Sequence, residues 1–259
     1  MQIIRFTAKS EIKYGVLYNQ QVQGLAADPF LCFQNGTAFQ KDGSSYLLSE
    51  VKLLSPCLPS KVVCLGLNYR PHAQEVKEAL PANPLLFIKP STAIIGPGDS
   101  IILPKSSKRV DFECELAVVI GKTAKQVPET QARSYVLGYT CFNDVTERQM
   151  QKDDGQWTRA KSFDTFAPLG PWIETEVDPD DLKLETYLNG EVKQSARTSE
   201  LIFGISRLIS FISGVMTLLP GDVIATGTPA GIGPVQAGDI VEIKIEKIGT
   251  LRNRVEAAV

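Results

Sequence analysis

A chain of 259 residues is long enough to bury a full core, and it allows one large domain or a large domain with a small appendage. With 43% hydrophobic and 22% charged residues and a formal net charge of −2, it offers no electrostatic case for nucleic acid or an anionic membrane as a partner. One histidine and five cysteines without a C-x-x-C pair exclude a multi-histidine metal site and argue against zinc or a disulfide framework, so any metal is expected on oxygen ligands, as Mg²⁺, Mn²⁺ or Ca²⁺.

Residues 1 to 55 read as a small β-rich unit, with strand-like pieces at Ile3–Phe6, Tyr14–Tyr18 and Val22–Leu25 and a hairpin turn at Asn19-Gln20-Gln21. Ser55-Pro56 and Leu58-Pro59 mark a linker, and residues 56–259 form the second expected domain. Met1–Phe6 lacks the basic-then-apolar layout of a signal peptide, and the apolar run from Leu201 to Leu219 carries Arg207 and amphipathic spacing. A soluble protein in the cytoplasm is therefore expected, with an organellar matrix left open.

Val62–Leu65 reads as a buried strand broken by Gly66. Asn68 is placed as a helix cap and Pro71 in the first helical turn. On that turn His72 and Glu75 are three apart and share a face, the arrangement in which a carboxylate orients an imidazole base; a surface histidine with a helix-side acid gives the same pattern. Leu85–Pro90 is a further strand, ending in Lys89.

The stretch Val110–Gly121 is the densest in chemistry. Leu116–Ile120 is apolar and β-branched, as in a strand buried on both faces. Asp111, Glu113 and Glu115 precede it at period 2, so on a continuous strand all three share one face, either solvated or gathered round a cation. Thr130–Val136 reads as a short helix feeding the strand Val136–Phe142, and Asp144 stands at that strand's exit as a further ligand. Cys114 and Cys141 lie in apolar runs as small hydrophobes.

Leu182–Leu188 and Glu191–Gln194 flank Asn189-Gly190 as a hairpin. Leu201, Ile205, Leu208 and Ile212 give an amphipathic helix capped near Thr198 or Ser199. Alternation over Gly238–Glu246 gives a last strand, and the glycines of Gly227–Gly233 fit neither a dinucleotide fingerprint nor a phosphate loop. The class is α+β and β-dominated, with two or three helices and no regular βαβ alternation.

Several ordered blocks together carry a resemblance. Gly66-Leu67-Asn68-Tyr69 with His72 and Glu75, Phe87–Pro90, Asp111–Glu115, Gly138-Tyr139 with Asn143–Thr146, Lys161–Asp164 and Thr226–Pro229 are similar to the fumarylacetoacetate hydrolase superfamily, in its prokaryotic and organellar branch. The resemblance implies a mixed β-roll or β-sandwich catalytic domain, a homodimer, and Mg²⁺ or Mn²⁺ held by Glu113, Glu115 and Asp144. It implies His72 and Glu75 as a catalytic dyad on a segment that closes over substrate, with Lys161 beside the metal. Arg148, Gln151 and Thr228 then contact the substrate's carboxylate and oxo groups, with Lys89 a further expected contact, and Asp111 plays a supporting part. Pro71 departs from the acidic or other non-proline residue expected there.

The implied activity is cleavage of a small 2-oxo acid through a metal-stabilised enolate, as acylpyruvate hydrolysis or oxaloacetate decarboxylation. The alternative is isomerisation or decarboxylation of oxo-diene dicarboxylates of the 2-hydroxyhepta-2,4-diene-1,7-dioate type. From another class, a non-catalytic metal-binding protein remains as a third reading.

Overall fold

The strand Cys114–Ile120 is the centre on which two layers of core are laid. In the computed structural model, which describes residues 1–258, every residue of this strand is buried. Because side chains alternate, Leu116, Val118 and Ile120 enter one core and Ala117 and Val119 the other. A segment covered on both faces has no use for polar positions, which is why Leu116–Ile120 reads as an unbroken apolar run.

Its partners build a twelve-stranded sheet. From edge to edge its main path is Lys41–Leu47, Gln21–Leu25, Glu11–Tyr18, Gln2–Ala8, Ala167–Glu174, Val136–Asn143, Cys114–Ile120, Val223–Ala225, Lys61–Gly66 and Leu85–Pro90. The N-terminal strands join it where Ile3 pairs antiparallel with Ile173. Their own small core of Ile4, Phe6, Leu17 and Val22 is closed by Tyr46 and Trp172. The larger core lies between this sheet, a five-stranded sheet ending in Glu191–Arg197 and Ser100–Leu103, and the helix Ile205–Val215. The β-dominated α+β class read from the sequence is the class the chain adopts. No helix is long and apolar enough to cross a membrane among the described residues.

Both hairpin turns form where expected. Asn19 and Gln20 (φ 47° and 66°), and Asn189 and Gly190 (φ 52° and 84°), take the left-handed backbone that a two-residue hairpin needs. All five cysteines are free and buried.

Four local expectations are corrected. The helix placed near Thr198 starts at Ile205, and Thr198–Glu200 is a 3-10 turn instead. Asn68 does not cap the helix Arg70–Glu75, whose N-cap is Tyr69. One contact explains both. The Asn68 side chain accepts from Phe203 N (2.8 Å) and donates to Phe203 O (3.1 Å) and Thr226 O (2.7 Å), while its carbonyl accepts from Ile202 N. Residues 201–203 are thereby held out of the helix, and the Thr198 hydroxyl is spent on Pro179 O and Leu182 N. Glu129–Tyr135 is 3-10 rather than α-helical. Finally, the acidic stretch is not one strand: it breaks at Glu113, and Asp111 belongs to Val110–Phe112 in a separate three-stranded sheet.

Asp222 ties the start of the strand Lys61–Gly66 to the start of its neighbour Val223–Ala225. Fully buried, it accepts from Ser60 N (2.9 Å), Ser60 Oγ (2.7 Å), Leu219 N (2.9 Å) and Lys61 Nζ (2.5 Å). Asp222→Ala is expected to cost about 3–5 kcal/mol, because one change strands several donors and a largely buried ammonium. Urea unfolding followed by circular dichroism checks this, and a loss below about 1 kcal/mol, the value of an exposed pair, would show that the contacts are replaceable.

Candidate active site

Antiparallel pairing creates the acidic cluster. Cys114 lies opposite Asn143, so Glu113, just before one strand, meets Asp144, just after the other. Asp144 N donates to Glu113 O at 2.9 Å, and Glu113 N donates to Asn143 Oδ1 at 3.0 Å. Glu115 is two residues further along the same face. One carboxylate oxygen from each of Glu113, Glu115 and Asp144 lies within 4.8 Å of the others, and all three residues are buried.

Their cationic neighbours are unequally shared. Lys161, the last residue of the helix Thr158–Lys161, donates to Glu113 Oε2 (2.9 Å) and Asp144 Oδ2 (2.6 Å), with its ammonium 4.8 Å from the centre of the Phe87 ring. Burial opposes the Lys161 charge, but Asp144 and Glu113 outweigh it and raise its pKa. Arg148 opens the helix Arg148–Asp154 and donates to Glu113 Oε1 (2.5 Å), Asp111 Oδ2 (2.9 Å) and Gln151 Oε1 (2.7 Å). Burial weighs against the Glu113 carboxylate too, yet Lys161, Arg148 and His72 hold it below the ordinary range. Glu115 has no such partner. Its one hydrogen bond is from Gly227 N at 2.8 Å, and burial, then Asp144 and Glu113, push its carboxyl well above the ordinary range.

That imbalance is the test of whether a cation fits here. Three converging carboxylates, one without a positive partner, form an oxygen-only donor set that suits a hard divalent ion such as Mg²⁺ or Mn²⁺. Glu113, Glu115 and Asp144 could hold it.

Across from the cluster, His72 Nδ1 lies 3.0 Å from Glu75 Oε2, and Glu75 Oε1 accepts from Gly231 N at 3.0 Å. A ring nitrogen paired to a carboxylate carries the proton there and leaves Nε2 as the basic position. His72, Glu113, Arg148, Gln151, Lys161 and Thr228 all line one cavity of about 460 Å³, walled on the far side by Leu85, Phe87 and Trp157. A larger groove of about 820 Å³ lies beyond Leu85, Phe87 and Trp157, but no ionisable side chain lines it, so it offers no chemistry of its own.

Of the residues singled out from the sequence, Glu115 and Asp144 sit beneath the cavity wall with Glu113 in front of them. Asp111 lies outside the cluster, fixed by Arg109 Nε (2.8 Å) and Arg148. The expected substrate contact at Lys89 is not provided. Its ammonium is fully buried, donates to Asp144 Oδ1 (2.5 Å) and Val145 O (2.8 Å), and does not reach the cavity; burial lowers its pKa. Sequence reasoning missed Asn143, which holds the Glu113 backbone, and Gln194, which bonds Thr228. Gln194 left no signal in the sequence, because burial on the Glu191–Arg197 strand runs against polarity: the apolar Val192 is 50% exposed and Gln194 only 1%.

With this geometry in place, comparison with known proteins gives the class. Residues 61–256 match the family described as Fumarylacetoacetate (FAA) hydrolase C-terminal, and residues 1–56 match one described as Rv2993c-like, N-terminal. The chain belongs to the fumarylacetoacetate hydrolase family, and is an enzyme of that family. Among its relatives, a mitochondrial oxaloacetate tautomerase of Rattus norvegicus is 46% identical over 80% of this chain and 70% of that protein. A solved 5-carboxymethyl-2-hydroxymuconate delta-isomerase from Mycobacterium smegmatis is 45% identical with a TM-score of 0.93, covering 100% of both chains. A maleylpyruvate hydrolase from Sphingobium sp. SYK-6, solved with manganese(II) and pyruvate, is 31% identical with a TM-score of 0.84, again over 100% of both.

Proposed function

We propose that the protein is a Mg²⁺- or Mn²⁺-dependent enzyme that cleaves a small 2-oxo acid, with acylpyruvate hydrolysis as the leading reaction. The observation that carries this reading is the His72–Glu75 dyad facing Glu113, Arg148 and Lys161 across a single cavity. A divalent cation held by Glu113, Glu115 and Asp144 supplies Lewis-acid polarisation of the 2-oxo group.

The chain's own residues do the rest. Arg148, Gln151 and Thr228 orient the carboxylate, and Lys161 and Lys89 hold Asp144 and Glu113 in place. His72, oriented by Glu75, takes a proton from water attacking C4. The C3–C4 bond then breaks, its electron pair passes into the 2-oxo group, and C3 is reprotonated to give pyruvate and the released acid. Decarboxylation of oxaloacetate, weighed equally from the sequence, needs no attacking water and therefore no base; the preformed dyad favours hydrolysis over it.

The electrostatics agree with an anionic substrate. Around the cluster, the four carboxylates of Asp111, Glu113, Glu115 and Asp144 are balanced formally by Lys89, Arg109, Arg148 and Lys161. A divalent ion added to that neutral set would make the site positive, which suits an anionic 2-oxo acid.

A second reading is enol–keto isomerisation, favoured by the 46% identity to an oxaloacetate tautomerase. There the same base moves a proton between C3 and the oxo oxygen, and no carbon–carbon bond breaks. A panel of acylpyruvates, oxaloacetate and oxo-diene dicarboxylates, scored for pyruvate, CO₂ and enol absorbance, separates these reactions. Pyruvate release is expected from acylpyruvates, lost with EDTA and restored by Mg²⁺ or Mn²⁺. Enol decay without pyruvate would select the second reading, and turnover indifferent to EDTA would sink both.

A further inference from the structure

Gln194 projects inward from the edge strand of the five-stranded sheet and is 1% exposed. Its amide is fully used. Gln194 Oε1 accepts from Cys114 N at 2.9 Å and from Thr186 Oγ1 at 2.7 Å. Its Nε2 donates to Pro229 O at 2.7 Å and to Thr228 Oγ1 at 2.8 Å. Two of these partners settle which end of the amide is which. A backbone N–H can only donate and a carbonyl can only accept, so a reversed amide would set donor against donor at Cys114 and acceptor against acceptor at Pro229.

The direction of the remaining bond follows. Thr228 Oγ1 accepts from Gln194, so its own proton must be given to something else. Among the described residues no acceptor takes it, and Thr228 lines the cavity beside Arg148 and Gln151.

We propose that Gln194 is a positioning residue that fixes the polarity of the Thr228 hydroxyl, holding it as a hydrogen-bond donor toward an oxygen of the bound substrate. The proposal rests on the reading of the cavity as a 2-oxo acid site. It extends that reading in two ways. The order Cys114 N–H to Gln194, then Gln194 to Thr228, then Thr228 to substrate aligns three hydrogen-bond dipoles, each strengthening the next. It also ties the loop that meets substrate to the backbone between Glu113 and Glu115, so substrate contact and acidic cluster share one support. An oxygen that only accepts, as in a carboxylate or an oxo group, is the partner such a hydroxyl selects.

The test uses oxalate binding to the Mn²⁺-loaded protein, measured by calorimetry, in wild type, Gln194→Met, Thr228→Val and the double variant. Each single change is expected to weaken oxalate by about ten- to a hundredfold, the value of a hydrogen bond to a charged group. The double variant is expected to be no weaker than the worse single one, because both remove the same bond. Mn²⁺ affinity measured without oxalate stays within about threefold, which a general loosening of the site would not give. Thr228→Val keeps the Gln194 bond to Pro229, so it folds independently of the other variant. Should Gln194→Met not fold, Gln194→Asn takes its place: it keeps an amide but draws it one methylene back from Thr228, and the same weakening is expected. Oxalate bound as tightly by Thr228→Val or by the folded Gln194 variant as by wild type overturns the proposal, as do strictly additive losses. A wild-type protein that binds Mn²⁺ but not oxalate overturns the 2-oxo acid reading itself, and the proposal with it.

Discussion

Glu115→Gln is expected to lower kcat/KM by about a thousandfold or more, the equivalent of roughly 4 kcal/mol of transition-state stabilisation, while leaving the metal-free protein as stable as wild type or more so. The two halves of this result have one cause. Glu115 is the carboxylate of the cluster that no lysine or arginine touches. Replacing it by an isosteric amide removes a buried carboxyl whose ionisation burial, Asp144 and Glu113 oppose, and the amide oxygen still accepts from Gly227 N. What is lost is a ligand. Asp144→Asn makes the contrast, because it would leave Lys89 and Lys161 each with one fewer buried counter-charge and so cost stability as well as activity. Thermal melting of both variants with and without Mn²⁺ decides the matter. A Glu115→Gln protein that melts well below wild type without metal would show that the acid is structural.

His72→Ala is expected to reduce kcat by about 10²–10⁴, the usual contribution of a positioned general base, with Mn²⁺ and oxalate affinities preserved. His72 lines the cavity opposite the acidic cluster and makes no hydrogen bond to any of its carboxylates, so removing it disturbs neither support. Glu75→Gln should retain more activity than His72→Ala, since it removes the orienting charge and keeps the base. Because His72 is the chain's one imidazole, its titration can be followed by NMR without assignment. Activity of His72→Ala within a few-fold of wild type on every substrate of the panel would remove the dyad from the mechanism.

What could be read from the sequence was what is decided locally. Leu116–Ile120 is apolar at every position because two cores claim alternate residues, and that is visible in composition alone. The turn at Asn189-Gly190 and the spacing of His72 and Glu75 are likewise properties of neighbours along the chain. The errors came where a distant residue competed for a backbone group. Asn68 could cap its own helix or hold residues 202 and 203, and only the folded chain brings the second choice within reach. Asp111 looked equivalent to Glu113 and Glu115 until the break at Glu113 turned it toward Arg109 and Arg148. The helix Pro29–Asn35 is a different kind of miss. Asp28 caps it, Pro29 opens it and Gly36 closes it in the left-handed region, all legible signals passed over in a segment read as β-rich. The family resemblance supplied the choice of carboxylates, which periodicity left open.

The two ends of the short helix that carries the dyad are tethered very differently. Asn68, just ahead of it, is gripped by four hydrogen bonds to backbone at Ile202, Phe203 and Thr226, whereas the far end is caught by the single bond between Glu75 and the Gly231 amide. Such an arrangement has a pivot and a catch. A swing of Arg70–Glu75 about Asn68 would break that one partly exposed bond and carry Glu75 furthest, with His72 behind it, while the carboxylates on the sheet stay where they are. The position of the base therefore rests on the bond between Glu75 and Gly231, and that of the acidic cluster on the pairing of two strands.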